Sequence, residues 1–337
     1  MDNSPTISVL MPVFNSEQFA SEAIESITNQ TFKDFEFLIL DDASTDKSFE
    51  IIKEFEKKDS RIKVSQNEKN LGVVASRNKL LNLSKGKYIA WLDSDDIAIE
   101  NRLEKQINFL ENHPEIGMVG SNATIIDENN NKIGKWLFET EPQKLKIELF
   151  FHSPFLSSSV MIRKSCLPQN FYDSRFPVSE DFGLYSKISE HCETANIAEF
   201  LVKYRINSKG LSKSNTEKME KLSVQVIKEH AERLGIKLEE NTIKNLRKPV
   251  TASKIALKEI PEIEKSLILL KNLFINKDCF NKTAVNEVIQ KYWFETCRKS
   301  THNGLKILKI FFTSPLFCKK LSLKDNCRFC VRAFIKY

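Results

Sequence analysis

The sequence has no run of about 18 uninterrupted apolar residues, which excludes a bilayer-spanning helix. Met1–Thr6 is polar, and the first apolar run, Ile7–Phe14, is interrupted by Pro12 and too short for a secretory core, so no leader peptide is expected. The expected location is the cytoplasm. Regular cysteine spacing is also missing: Cys166, Cys192, Cys279, Cys297, Cys318, Cys327 and Cys330 are odd in number and scattered, which predicts reduced thiols rather than a disulfide framework. Cys327 and Cys330 form a lone C-x-x-C with no second ligand pair, so no structural zinc is expected there. Internal repeats and low-complexity tracts are absent, which excludes a solenoid. A strong mean field is absent too, because 51 basic and 45 acidic side chains are interspersed and leave a net charge of +6, so charge alone does not point to nucleic acid.

What remains is an ordinary globular composition, 41% hydrophobic and 28% charged over 337 residues, enough for one catalytic domain and an appendage. The apolar, β-branched run Ile7–Phe14 predicts a strand, and Glu17–Gln30 follows with Phe19, Ala23, Ile24 and Ile27 at helical spacing. The unit then repeats. Strands are predicted at Phe35–Leu40, Ile62–Gln66 and Tyr88–Leu92, with helices at Ser48–Lys57 and Val73–Leu83 between them. Such alternation predicts an α/β fold, a mostly parallel central sheet with helices on both faces. After a helix at Leu103–Asn112 the pattern changes to strands at Met118–Ile126, Lys132–Leu137 and Ser157–Arg163. Helices are predicted again at Thr216–Leu234, Asn241–Lys258, Ile260–Phe274 and Lys282–Lys299, so a boundary is placed at the polar stretch Ser212–Ser214. This gives a first domain over 1–212, divided at about 110 where the regular strand–helix alternation ends, then a helical region over 213–337.

In a parallel sheet, ligands collect beyond the carboxyl ends of the strands, and here those ends carry Asn15, Asp41, Asp42, Asp93, Asp95 and Asp96. Asp93-Ser94-Asp95-Asp96 crowds three carboxylates into one turn, and their repulsion is relieved by a hard divalent cation such as Mg²⁺ or Mn²⁺. The competing reading is a solvated acidic turn that caps the next helix. Asp41 and Asp42 can accept bonds from a nucleobase or ribose, while Ser44 or Asp46 can cap the following helix. Arg77 can pair with phosphate oxygens or serve as a solvated surface residue. Ser179-Glu180-Asp181 places acids at a helix start, where a carboxylate can act as general base or merely occupy the first turn of a capped helix.

The segments Ser8–Asn15, Ser26–Phe32, Leu40–Asp46, Asn70–Gly72, Ala75–Asn78, Asp93–Asp96 and Glu180-Asp181 occur in an order that resembles the family 2 glycosyltransferases of the GT-A fold, of the bacterial surface-polysaccharide and lipooligosaccharide type. The resemblance covers roughly the first 210 residues. It implies a nucleotide-diphosphate sugar donor, a UDP-hexose or UDP-N-acetylhexosamine. Pro12, Val13, Asn15, Asp41, Asp42, Arg77, Asp93, Ser94 and Asp95 would line the donor pocket, and Asp95 and Asp96 would serve a Mn²⁺ or Mg²⁺ ion. Asp181 would be the catalytic base of an inverting transfer to a glycan or lipid-linked acceptor. One departure stands out: in Tyr204-Arg205-Ile206-Asn207, Asn207 occupies a position where relatives often carry His, leaving Arg205 and Ser212 as residues that could reach phosphate. Trp136, His152 and Ser157–Ser159 are acceptor candidates, against core packing for each.

The tail from about Leu305 is the one basic segment. Lys306–Lys336 holds eight Lys or Arg and a single acid, Asp325, among Phe311, Phe312, Phe317, Phe329 and Phe334. A basic amphipathic segment of this kind can lie on an anionic membrane, which predicts a peripheral location on the inner face of the cell membrane; a packed terminal helix is the alternative. A non-catalytic module for sugar nucleotides or polysaccharide is a second functional reading, against which the retained acids count. No nucleic-acid-binding signature supports a third.

Overall fold

The computed structural model describes residues 4–207, 216–317 and 329–333. Four strands near the N-terminus run parallel in the order β3-β2-β1-β4, with β1 at Ile7–Val13, β2 at Phe35–Asp41, β3 at Ile62–Gln66 and β4 at Tyr88–Trp91. β1 and β2 are apolar runs buried along nearly their whole length, as expected of strands covered on both faces. Ile7, Val9 and Met11 share a core with α1 (Ala20–Thr28), α2 (Ser48–Lys58) and α4 (Arg102–Asn112). Helix α3 (Val73–Leu83) packs on β1 and β2 outside that cluster, so it covers the opposite face. Each fully buried Ile, Leu or Phe in these strands contributes about 1.5–3 kcal/mol.

The order β3-β2-β1-β4 contains a switch point. The chain moves outward from β1 to β3 and then returns on the other side of β1 as β4, so a crevice opens where β1 and β4 end. Pro12 widens it. The β1–β4 ladder closes at Leu10 opposite Trp91, and Pro12, which has no backbone N–H, lies beyond that last pair.

The rest of the sheet is mixed rather than parallel. β8 (Met161–Arg163) and β6 (Ile116–Ile126) join antiparallel, the long β9 (Glu193–Arg205) lies parallel to β6, and the short β5 (Ile97–Ala98) and β7 (Lys132–Trp136) pair antiparallel with β9 and β6. Ser157–Ser159, expected within a strand, forms a 3₁₀ turn instead, and only Met161–Arg163 extends. β9 was not legible in sequence because its pattern is broken by Glu193, Asn196 and Glu199, and its register to β6 shifts three times.

The expectation of seven reduced thiols is corrected at one pair, since Cys166 and Cys192 form a disulfide across 26 residues. They flank the start of β6, where a Cβ at Gly117 would collide with both of them. Sequence spacing could not reveal a pairing made by strand order. Cys327 lies outside the described residues.

The chain divides into two compact units, Met1–Pro142 with Ser153–Leu222, and Gln143–His152 with Ser223–Tyr337. The expected boundary at Ser212–Ser214 lies outside the described residues. In the second unit, α5 (Pro142–Glu148) leads into Phe150 and Phe151, and α7 (Thr216–Arg233), α8 (Glu240–Thr251), α9 (Ile260–Ile275), α10 (Lys282–Lys299) and α11 (Lys306–Thr313) follow. Phe151 stacks on Tyr292 at 3.8 Å, and Phe150 meets Phe274 edge-on at 4.7 Å. α8 stops at Thr251 rather than Lys258, two residues after Pro249, whose missing N–H weakens the helix there. Within the basic tail, α11 buries Ile307 and Phe311 and leaves Phe312 exposed, so its first turns pack as a terminal helix. Residues 318–328 and 334–337 of the tail lie outside the described residues. No described helix is long and apolar enough to cross a membrane.

Candidate functional site

The crevice at the switch point is lined by the loops that leave β1, β2 and β4. Asn15 and Ala43 both adopt left-handed backbone, φ 49° and 58°, a conformation unfavourable for Ala in particular. They are held there by each other's loops. Asn15 N–H donates to Ser44 Oγ at 2.9 Å, and its Oδ1 accepts from Thr45 N–H at 2.8 Å. Asp46 accepts from Ser48 N–H at 2.9 Å, so the capping expected of it coexists with the loop. Ser16 and Ser94 hydroxyls meet at 2.7 Å and tie the β1 end to the acidic turn after β4.

The two acids after β2 differ. Asp42 turns inward: Oδ1 accepts from Asn67 Nδ2 at 2.7 Å and Leu71 N–H at 2.9 Å, and Oδ2 accepts from Gly72 N–H at 2.8 Å. Gly72 itself has φ 85°, so glycine is needed at this entry to α3. Asp41 Oδ2 accepts from Ser44 N–H and Gln66 Nε2, both at 3.0 Å, but its buried Oδ1 has no partner among the described residues. A buried carboxylate oxygen without a donor carries a desolvation penalty of about 1–3 kcal/mol unless a ligand N–H or O–H meets it. Of the two, Asp41 is therefore the one with acceptor capacity left, whereas Asp42 organises the loop before α3.

Arg77 is buried and joins the two distant acid groups. Its Nη2 donates to Asp93 Oδ1 at 2.8 Å, and Nη1 lies 3.6 Å from Glu180 Oε1. The guanidinium lies 5.2 Å from the Trp91 ring and 5.6 Å from the Tyr172 ring. It is not a solvated surface residue, and its Nε and Nη1 have no hydrogen-bond partner among the described residues. Asp93 is fixed from its other side by Ser158, whose hydroxyl accepts from the Asp93 N–H and donates to Oδ2, each at 3.1 Å. Ser158 and Ser159 are fully buried, Ser158 bracing the acidic turn and Ser159 donating its hydroxyl to the Leu156 carbonyl at 2.9 Å, so neither presents a hydroxyl to an acceptor. His152 lies in the second unit, bonded to the Tyr292 hydroxyl at 2.9 Å. Trp136 stays 40% exposed, stacked on Tyr204 at 4.8 Å.

Glu180 and Asp181 begin α6 (Glu180–Ile188), and Ser179 provides no side-chain cap. Asp181 Oδ1 accepts from the Phe182 N–H at 2.7 Å, and the side chain keeps partial exposure. Burial pushes its carboxyl up, Arg77 opposes that, and the charge on Asp93 adds to it. Burial likewise drives Glu180 up to about 7, against the pull of Arg77. The acids on α6 and the acid after β4 thus sense one another through one guanidinium.

Asp95 and Asp96 lie under Arg205. Arg205 N–H donates to Asp96 Oδ1 at 2.8 Å and its Nε to the Asp95 carbonyl at 2.8 Å, while its other nitrogens reach Glu22, Asn130 and the Asp127 carbonyl. With its side chain 1% exposed, Arg205 is committed to structure, which corrects the expectation that it could reach phosphate. Ser212 lies outside the described residues. Burial, reinforced by Asp93, drives Asp95 up to about 6, and burial followed by Asp95 and Asp93 drives Asp96 well above the usual carboxylate range. Asp96 Oδ2 is buried and unpartnered among the described residues.

Among the described residues no three His, Cys, Asp or Glu side chains close on one cation position. The donor set still fits a hard cation taking only part of its shell from protein, because orphaned carboxylate oxygen and mutual repulsion are what such an ion relieves. Sequence reasoning missed Tyr172 and Asn67 and offered Ser158 only as an acceptor candidate, because their roles depend on strand order and loop packing. Glu180 was visible as an acid but not as the partner of Arg77.

Residues 8–167 match the family described as "Glycosyl transferase family 2". An uncharacterised glycosyltransferase of Methanocaldococcus jannaschii is 41% identical over 234 residues, which is 68% of this chain and 80% of that protein. The UDP-Glc:α-D-GlcNAc-diphosphoundecaprenol β-1,3-glucosyltransferase WfgD of Escherichia coli is 32% identical over 219 residues, 64% of this chain and 83% of its own length. Among solved structures, S. aureus TarS 1–349 in complex with UDP-GlcNAc superposes with a TM-score of 0.57 at 19% identity, covering 86% of this chain and 90% of that one. At that identity the likeness concerns the fold alone.

Proposed function

We propose that this chain, which belongs to glycosyl transferase family 2 and has the GT-A fold, transfers a sugar from a nucleoside-diphosphate sugar, with inversion, to a hydroxyl of a glycan or lipid-linked acceptor in surface-polysaccharide synthesis. The observation that carries this reading is Arg77, which contacts Asp93 at 2.8 Å and Glu180 at 3.6 Å and so gathers both acid groups at one strand-end crevice. A binding module would need the donor-side acids but not a second acid group on α6.

In this reading Asp41 Oδ1 accepts a nucleobase N–H, and the Pro12–Asn15 edge, with Val13 beneath it, forms the wall of the base pocket. Asp95 and Asp96 would hold a Mn²⁺ or Mg²⁺ ion at the diphosphate end of the donor, with Ser94 lining the donor pocket beside them. When bound, that ion neutralises charge developing on the leaving diphosphate. Asp93 is kept in place by Arg77 and Ser158 and faces the sugar. Asp181 takes the proton from the acceptor hydroxyl as it attacks the anomeric carbon opposite the nucleotide. Its raised pKa makes its carboxylate a better proton acceptor than an ordinary Asp. Attack from that face turns an α-linked donor into a β-linked product.

UDP-hexoses and UDP-N-acetylhexosamines are the donors to try first, since WfgD is named for UDP-Glc and the TarS structure holds UDP-GlcNAc. A lipid-linked acceptor would bring the chain to the inner face of the membrane, with Lys306, Lys309 and Phe312 of the tail as contacts. The experiment is a screen of nucleotide sugars for UDP release with Mn²⁺, Mg²⁺ or EDTA, beside thermal stabilisation by UDP. Cation-dependent release from one donor supports transfer; stabilisation by UDP with no release from any donor supports the binding module.

A further inference from the structure

Of the three tryptophans, Trp91 and Trp293 are fully buried and Trp136 is not. Trp136 ends β7, which pairs only with β6, and its ring stacks on Tyr204 at 4.8 Å and meets Phe138 edge-on at 6.3 Å. The sheet register puts these rings on one face. Ala123 lies opposite Trp136 on one side and Val202 on the other, and Ile125 lies opposite Gly134 and Tyr204, so all six share that face. Lys135 and Lys203, both opposite Thr124, alternate to the other face. Beneath the rings, Ala123, Leu156 and Val202 form a small buried cluster on which Phe138 and Tyr204 pack. This face adjoins the candidate site at two places. The β5–β9 ladder ends with Ile97 opposite Lys203, so the chain runs on to Asp96 along one strand and to Tyr204 along the other. Leu156 leads straight into the turn whose Ser158 braces Asp93, and Phe155 before it meets Tyr185 edge-on at 5.7 Å, one turn after Asp181 on α6.

We propose that Trp136, Tyr204 and Phe138 form the platform on which a neutral sugar ring of the acceptor glycan rests, beyond the unit whose hydroxyl reacts. The role of acceptor rests on the transfer reading above. A pyranose ring has an apolar face of C–H groups rimmed by hydroxyls, which complements an aromatic surface with one side open to water. A ring pair that served the sheet alone would gain by being covered, because cross-strand aromatic pairs stabilise through packing. An exposed aromatic surface that continues into a catalytic crevice marks a place where something binds. Its occupant is neutral, since Lys135 and Lys203 turn away from this face while Asp96 adjoins it. Strands lie about 4.8 Å apart, so the Trp136 backbone is three spacings from β5, into which the acidic turn leads. A ring held there belongs to the glycan beyond the reacting sugar. Stacking is tolerant of hydroxyl configuration, so the platform selects for an extended acceptor and not for one epimer.

The test uses the full chain. Because Trp91 and Trp293 are buried, the emission that iodide can quench belongs to Trp136. Cellobiose, lactose and N,N′-diacetylchitobiose are expected to protect that emission saturably, beyond the effect of sorbitol, an acyclic polyol at matched concentration. The disaccharide that protects best should accelerate UDP release from the donor found by the nucleotide-sugar screen. Trp136→Ala should lose about tenfold of that acceleration with UDP affinity unchanged, and Trp136→Phe, which keeps a ring, should retain most of it. The platform is overturned by no protection beyond sorbitol in the unmodified protein, a result that needs no variant to fold. It is overturned equally by acceleration that Trp136→Ala keeps in full, by a loss in Trp136→Phe as large as in Trp136→Ala, or by release that no disaccharide accelerates. Shielding of Trp136 that appears only as the chain dimerises assigns the surface to a second copy and also overturns it. Protection by a disaccharide in a protein that releases UDP from no donor overturns the transfer reading instead, and with it the acceptor role.

Discussion

Replacing Arg77 with Met tests the core of the site through stability. The guanidinium is 4% exposed and touches Asp93 at 2.8 Å and Glu180 at 3.6 Å, with the Trp91 and Tyr172 rings around it. Met keeps most of the volume, so the loss is electrostatic: two carboxylates are left without their cation, and Asp181 loses a more distant one. Removing one partner of a buried ion pair costs about 3–5 kcal/mol, and the lower end applies because Asp93 keeps 31% side-chain exposure. For a unit of roughly two hundred residues, about 3 kcal/mol lowers Tm by roughly 6–12 °C. The penalty must depend on pH. Glu180 titrates at about 7 with Arg77 present and higher without it, so at pH 5.5 it is neutral in both proteins and much of the loss disappears. Calorimetric melting of wild type and Arg77→Met at pH 8 and pH 5.5 reads both quantities. A shift under about 2 °C at pH 8, or equal shifts at the two pH values, would show that Arg77 does not bind the acid groups together.

Glu180→Gln addresses the same charge from the other side. Its carboxyl is held up to about 7 against an ordinary 4.5, so the folded state binds the proton more tightly than the unfolded chain and wild-type stability falls as pH rises from about 4.5 to about 7. The Gln variant should flatten that part of the Tm–pH curve, and parallel curves for the two proteins would refute the shift. Asp41→Asn keeps an oxygen for the Ser44 and Gln66 donors but removes the anionic acceptor, so UDP affinity should fall about tenfold or more with Tm unchanged; titration calorimetry showing less than about a twofold change would exclude Asp41 from the base pocket. In the tail, Lys306→Glu with Lys309→Glu and Phe312→Ser leaves the buried Ile307 and Phe311 in place. Sedimentation with anionic vesicles should drop for that variant, and unchanged partitioning would remove α11 as a membrane contact.

Within the parallel half β1, β2 and β4 were legible because they are buried on both faces and read as largely apolar runs, each leading into an acid or Asn at the crevice, and β3 was legible from its place in the strand–helix alternation. The second half was less so. β9 is interrupted by Glu193, Asn196 and Glu199, and the Ser157–Ser159 turn runs directly into the apolar Val160–Ile162. For the site, sequence order identified the acid groups but not their wiring. That Asp42 would spend both oxygens on the Asn67 and Leu71-Gly72 donors while Asp41 kept one open depends on how the loop before α3 folds back. The commitment of Arg205 and the partnership of Arg77 with Glu180 are products of tertiary packing, and an isolated Arg in a sequence shows neither.

The account is tested most directly by measuring kcat and UDP affinity together for Asp181→Asn, with a donor found by the nucleotide-sugar screen. If Asp181 is the base beside a donor site assembled by Asp41 and the Asp93–Asp96 turn, kcat should fall by about 10²–10⁴-fold while UDP affinity in Mn²⁺ stays the same. Near-normal turnover would contradict the account.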